Sequence, residues 1–468
     1  MVKKDKELVV KQITVVLVTI FILFCMCKGL FNRSVWYDEA MQFWIALGCD
    51  PDLTSTRGGI NDLIKLNQNF NHDPGGYSLI LYFWSIASTG TMWLRSLSLM
   101  FFFLSILLIY KTSRIIFNSK LHSYACCLTP FFIDSLLYLA TEIRPYSMEC
   151  LSCAFNMFSI CYIYKKNKDI PILILVTTMS ILMTSRYSSI IGTSIAIFLI
   201  ILIIFQKRSF RLKRFFMTIA PFFSCFALIY IYSLKEQNPS IQTPSYIVNN
   251  FLFNWQNILF LISIPLSVFI ALKIHNKCIK QLTLYVVILN IAFLTLSLLN
   301  IHPADICSKY CISMIFSNLI LYSFFTCNII LNLKSIFVNK VSFGIIILFI
   351  LLQYKSMGMR YAQEDIELEY IVKSKEKYIF IDKDLSPIVK YHLHHGKLSN
   401  ILNKETLKID FEKQIKHNIK KTVVQKVNML AGKSIDYEKY DILVLKSQSV
   451  IDSKNWLKRN QFYFTKGH

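Results

Sequence analysis

Charge is what this sequence has least of. Only 17% of its 468 residues are charged, against about 25% in ordinary soluble domains, and acids are the scarcer sign: 28 Asp and Glu face 51 Lys and Arg. With 54% hydrophobic residues gathered into repeated runs of about 20, the chain cannot keep its surface in water and is read as a polytopic α-helical membrane protein. Paired cysteine spacing is missing too. Most of the thirteen cysteines, among them Cys25, Cys126, Cys161, Cys225 and Cys327, lie inside apolar runs, which excludes a disulfide framework and leaves them as small packing residues. No repeat at a fixed period and no low-complexity linker is visible, which excludes a solenoid. No small-residue cleavage site follows the first apolar run, so Val15 to Cys27 is expected to belong to a retained helix. The net charge of +23 would suggest nucleic acid in a soluble protein. Here it sits in short loops and the C-terminal tail, and no nucleic-acid partner is expected.

What is present is ordered by that charge. Lys3, Lys4, Lys6 and Lys11 hold the N-terminus in the cytoplasm and send a first helix, residues 12–31, outward. An extracytoplasmic loop, 32–93, follows; its segment Ser78 to Ala87 is too short to span and is expected to lie in the membrane interface. Further spans are expected near 94–110, 121–140, 147–164, 170–186, 188–205, 214–233, 252–272, 281–299, 311–331 and 341–354, eleven in all. Cytoplasmic loops then carry clusters such as Lys165, Lys166 and Lys168, or Lys207, Arg208, Arg211 and Lys213, while opposite loops carry only scattered bases. The membrane module covers 1–354. A small soluble α/β domain, 355–468, is expected outside the plasma (inner) membrane, with β-type runs at Tyr378 to Ile381 and Ile442 to Leu445 and helix-like sequence from Ser386 to His394. Its His392, His394 and His395 lack the Cys or i, i+4 partner of a metal site, so no metal and no cofactor is expected.

On this topology the polar residues that sit oddly near apolar runs arrive at one membrane face. Trp36-Tyr37-Asp38-Glu39-Ala40 places two adjacent carboxylates just past the first helix; read alone, it is equally an interfacial anchor with solvated acids. His72 and Asp73, with Tyr77 close behind, lead into the interfacial segment. Glu142, Arg144 and Tyr146 fall within Thr141-Glu142-Ile143-Arg144-Pro145-Tyr146, and Arg186-Tyr187 and Lys309-Tyr310 complete the set. Each has a bland explanation: Arg144 pairing with Glu142, Arg186 snorkelling, Lys309 as a loop charge, His72 as a helix cap. Their shared face favours an outward functional cavity. A carboxylate there can take a proton from an acceptor hydroxyl. Arg or Lys can bind a lipid phosphate and stabilise the charge that develops as it leaves, a contact typically worth about 10² to 10³ in rate. A transporter or flippase for an anionic lipid would want the same bases, but such proteins usually bind at the midplane between internal repeats.

Taken in order, Trp36-Tyr37-Asp38-Glu39-Ala40, His72-Asp73-Pro74-Gly75-Gly76-Tyr77, Leu94-Arg95-Ser96, Glu142-Ile143-Arg144-Pro145-Tyr146, Thr184-Ser185-Arg186-Tyr187 and Ser308-Lys309-Tyr310 resemble the GT-C membrane glycosyltransferases. The likeness is strongest to the bacterial branch related to protein O-mannosyltransferases and lipid A aminoarabinose transferases. It implies a GT-C fold and transfer of a sugar, with inversion at the anomeric carbon, from a polyprenyl-phosphate donor to a glycan, glycolipid or protein acceptor. It also implies Asp38 as general base, with Glu39 as its alternative or orienting the acceptor, and Arg144 and Lys309 on the phosphate. His72, Asp73, Tyr77, Glu142, Tyr146, Arg186, Tyr187 and Tyr310 fall by position to substrate binding. The related aminoarabinose and mannose transferases work without a metal, whereas oligosaccharyltransferases of the superfamily use one. Three departures stand out. His72-Asp73-Pro74-Gly75-Gly76 replaces the usual His-Pro-Pro-Leu, Ser185-Arg186-Tyr187 replaces Thr-His-Tyr, and Lys309-Tyr310 replaces Arg-Tyr, keeping charge but losing bidentate geometry.

Overall fold

The structure is a computed structural model. It describes residues 35, 37–49, 57–71, 73–132, 136, 139–166, 169–206, 212–233, 276–299 and 311–332, isolated positions within 262–274, three tail strands, and residues 387, 391 and 394. The chain divides into two compact units, Met1–Asn32 with Gly59–Gly358 and Arg33–Gly58 with Met359–His468.

The described part of the larger unit is helical. Its elements are α2 (Ile60–Phe70), α3 (Gly76–Trp84), α4 (Thr91–Phe117), α5 (Lys120–Leu128), α6 (Tyr146–Lys166), α7 (Asp169–Leu182), α8 (Tyr187–Gln206), α9 (Leu212–Tyr232), α10 (Lys277–Leu298) and α11 (Ile312–Asn332), α1 belonging to the other unit. Three of them, α4, α8 and α10, are long and apolar enough to cross a membrane, which is the mark of a helical membrane protein. The 27 residues of α4 rise about 40 Å, against a hydrocarbon core of about 30 Å. No Gly or Pro interrupts it, and it stops where Asn118 takes a left-handed conformation with φ 52° and its N–H bonds to the Arg114 carbonyl. Two further donors answer its last carbonyls: Asn276 Nδ2 reaches Ile116 O at 3.1 Å and Lys165 Nζ reaches Ile115 O at 3.2 Å. Asn276 does a second job at the start of α10, where its Oδ1 accepts from the N–H groups of Cys278 and Ile279.

At the centre lies α6, packed against α4, α8, α10 and α11. Its Tyr146, Met157 and Ile160 share one core with Phe102, Val286, Leu289 and Phe316. A helix buried all round needs no polar face, so polar residues along it demand an explanation. Where α3 turns into α4, Trp84 and Trp93 stack with ring centroids 4.6 Å apart. Each indole N–H donates to the other's backbone carbonyl, at 2.9 and 2.8 Å.

Two expected spans are not continuous α-helices. Within 121–140, α5 ends at Leu128 and the chain tightens into a 3-10 turn, Thr129–Phe132, because Pro130 has no N–H to continue the ladder. Within 170–186, α7 ends at Leu182, a 3-10 turn covers Met183–Ser185, and Arg186 is extended. The segment expected in the interface is α3, starting two residues earlier than Ser78. Pro221 lies inside α9, where a proline kinks a helix. The expected spans at 12–31 and 341–354 lie outside the described residues.

The smaller unit joins α1 (Tyr37–Ala46) to the tail. Phe43 packs edge-on against Tyr391 with centroids 4.8 Å apart, His394 lies against Trp44, and Trp44 Nε1 donates to the Pro387 carbonyl at 3.0 Å. The tail strands are β1 (Tyr378–Asp382), β2 (Glu405–Ile409) and β3 (Ile442–Leu445), forming a parallel sheet in the order β2-β1-β3. Tyr378 is opposite Glu405 on one side and Ile442 on the other. The two apolar runs singled out above are β1 and β3. The pairing strand β2, Glu-Thr-Leu-Lys-Ile, carries two charges and drew no attention.

Candidate functional site

The chain around Asp73 is built to hold one carboxylate in place. Asn67, near the end of α2, donates from Nδ2 to the Asp73 carbonyl at 2.8 Å and accepts at Oδ1 from Ser78 and Asn71. Ser233 Oγ donates to the same carbonyl at 3.2 Å. Gly75 has φ +93°, a conformation side-chain-bearing residues rarely adopt. Gly76 is required for a different reason: a Cβ there would stand 2.8 Å from the Thr184 carbonyl and closer still to its side chain. That approach presses the Asp73 turn against the 3-10 turn preceding Arg186.

Arg186 is the centre of the site. Its Nε lies 3.1 Å from Asp73 Oδ1 and its Nη1 3.5 Å from Glu149 Oε2, with the side chains of all three buried. Glu149 Oε1 accepts from Ser188 Oγ at 2.6 Å and from the N–H and Oγ of Ser313, both at 2.7 Å. Burial works against the Arg186 charge, and the carboxylates of Asp73 and Glu149 answer it directly. Beneath it lies Tyr146, wholly buried, whose ring faces Arg186 at 4.8 Å and Arg144 at 5.5 Å. Arg144 is half-buried, and its carbonyl accepts from Ser98 Oγ at 3.4 Å.

These groups surround the start of α6. The first N–H groups of a helix have no partner within it, and its dipole leaves that end positive. In the same turn, Tyr146 Oη and Ser147 Oγ are buried and meet no hydrogen-bond partner among the described residues. Two donor-capable hydroxyls, a helix N-terminus and a half-buried guanidinium are the parts of an anion site, and Glu149 in the same first turn already answers part of that positive end.

The structure brings together Asp73, Arg144, Tyr146 and Arg186 of the residues expected from sequence. Glu142 is also buried, at 2% exposure. Tyr77 and Tyr187 serve as ties: Tyr77 Oη bonds Ser98 Oγ at 2.7 Å and Tyr187 Oη bonds Ser233 Oγ at 2.5 Å. Asp38 and Glu39 occupy the first turn of α1, where acids complement the helix dipole; Asp38 is half-buried and Glu39 fully buried. His72, Lys309 and Tyr310 lie outside the described residues. Glu149, Ser188 and Ser313 join the site without being among the residues expected from sequence. A signal for Glu149 was present, since an acid inside an apolar run is a functional candidate by default.

No family model matches this chain, and no curated protein matches it.

Proposed function

We propose that this protein is an inverting glycosyltransferase with a GT-C fold. It moves a sugar from a polyprenyl-phosphate donor to a glycan, glycolipid or protein acceptor at the extracytoplasmic face of the plasma (inner) membrane. On this reading eleven spans carry the chain across the bilayer, the N-terminus stays in the cytoplasm, and a small soluble α/β domain follows outside. The observation that supports the proposal is the start of α6, where Tyr146 Oη and Ser147 Oγ are buried without a hydrogen-bond partner among the described residues and the Arg144 guanidinium lies over the Tyr146 ring.

In the proposed reaction Asp38 takes the proton of the acceptor hydroxyl, with Glu39 orienting the acceptor. The acceptor oxygen forms a bond to the anomeric carbon from the face opposite the phosphate. The bond from that carbon to the phosphate oxygen breaks, and its electron pair stays on the phosphate. Arg144 stabilises that growing charge. Arg186 is already neutralised by two carboxylates, so its part is to hold Tyr146 and the start of α6 in place rather than to bind the lipid phosphate.

The test compares intact masses of surface glycolipids from cells with wild type, with Asp38→Asn, and without the protein. One glycolipid lighter by a single sugar in both defective strains is the expected result. Identical glycolipid and glycoprotein masses in all three strains would overturn the transferase reading. Full activity of Asp38→Asn with transfer otherwise established would overturn only the base assignment.

A further inference from the structure

Inward from Glu149, α6 carries a polar face. Ser152, Cys153, Asn156 and Ser159 follow at helical spacing, and none is more than 1% exposed. Around Asn156 three other helices contribute. Its Nδ2 donates to Thr193 Oγ1 of α8 at 3.3 Å, and the Tyr285 hydroxyl of α10 lies within hydrogen-bonding reach of the side chains of Asn156 and of Ser317 from α11, though not in good hydrogen-bond geometry with either. Gly192 of α8 makes the room. A Cβ there would stand 3.1 Å from Tyr285 Oη and 3.6 Å from Asn156 Nδ2. Yet Tyr285 Oη, Asn156 Oδ1 and Ser317 Oγ are buried without a well-formed hydrogen bond to any described residue. These three side chains are 0 to 1% exposed.

Their chemistry restricts what they can hold. All three are neutral, so a cation or anion would sit in an apolar bundle without a countercharge. Asn156 Oδ1 only accepts, while the two hydroxyls can each donate one proton and accept as well. Water satisfies this set: it donates to Asn156 Oδ1 and to one hydroxyl oxygen and accepts a proton from the other hydroxyl, within the two to four bonds, roughly, that buried waters make. We propose that Asn156, Tyr285 and Ser317 form an internal water-binding site between α6, α8, α10 and α11, at the inner end of the polar face that starts at Glu149. The site stands apart from the reaction proposed above.

The experiment uses the full chain in lipid, labelled with ¹³C at tyrosine Cζ and read by water-edited solid-state NMR, with Tyr285→Phe assigning the signal. Tyr77 is the internal control, being equally buried but with its hydroxyl bonded to Ser98. Polarisation from water is expected to reach the Tyr285 carbon several-fold faster than the Tyr77 carbon. Equal or slower transfer overturns the proposal. Thermal unfolding gives an independent sign: Tyr285→Phe lowers Tm if the hydroxyl binds water. It raises Tm if the hydroxyl is dry, because an unanswered polar group has then been removed. A raised Tm also overturns the site.

Discussion

Two polar clusters lie along one helix and are built in opposite ways. At the start of α6, Asp73, Arg186 and Glu149 are charged and bonded to one another, with Ser188 and Ser313 on the remaining carboxylate oxygen. Two turns further on, Asn156, Tyr285 and Ser317 are neutral and carry atoms that meet no well-formed hydrogen bond among the described residues. A charge in an apolar bundle carries a desolvation penalty of several kcal/mol, roughly, unless protein groups meet it directly. A neutral hydroxyl carries much less and can be met by a single water. Only the charged cluster therefore needs a tightly shaped scaffold, and the glycine contact at Gly76 and the Asn67 bonds supply it.

Removing one charge should break the comparison most strongly. Glu149→Ala leaves Arg186 with one carboxylate and strands the donors of Ser188 and Ser313; a loss of about 3–5 kcal/mol is expected, read from thermal or denaturant unfolding in detergent. A loss below 1 kcal/mol, roughly, would mean the cluster is far better hydrated than its burial indicates. Gly76→Ala touches no charge, yet it must push the Asp73 turn away from Thr184. It should cost about 1–3 kcal/mol, and its loss should combine less than additively with that of Arg186→Met, because both changes disturb the Asp73–Arg186 contact. The neutral pair Asn290 and Asn318, bonded to each other at 3.0 and 2.8 Å, sharpens the contrast. Asn318→Leu alone should cost about 1–3 kcal/mol, whereas changing both to Leu should be nearly neutral. Smallest of all, Tyr187→Phe removes one hydrogen bond to Ser233 and should cost about 1 kcal/mol.

The charged cluster was half legible in the sequence. Asp73, Arg144, Tyr146 and Arg186 border apolar runs, so their unusual position showed. Glu149 carries a signal as an acid inside an apolar run, whereas Ser313 lies within a helical run where a small neutral polar residue is masked by its apolar neighbours, and the neutral cluster is hidden for the same reason. Asn156, Thr193, Tyr285 and Ser317 are ordinary residues until four helices bring them together. Pro130 could have been read as the end of α5, but the apolar count across it suggested a continuous span. The contact of Trp44 with Pro387 links positions 343 residues apart, a distance at which local pattern carries no information. From sequence the helix bearing Asp38 and Glu39 belongs to an extracytoplasmic loop, and nothing local signals that its Trp44 packs against tail residues.

The Trp84 and Trp93 pair has an optical consequence. Two indoles stacked 4.6 Å apart and 7° from parallel lie close enough for their electronic transitions to couple, so their joint ultraviolet absorption is a signature of the corner between α3 and α4. Because each ring is held by a hydrogen bond to the other's backbone, neither can leave alone without loosening both. The signature therefore vanishes in one step when that corner opens, and it reports on the segment that carries the chain from Asp73 into α4 without any attached label.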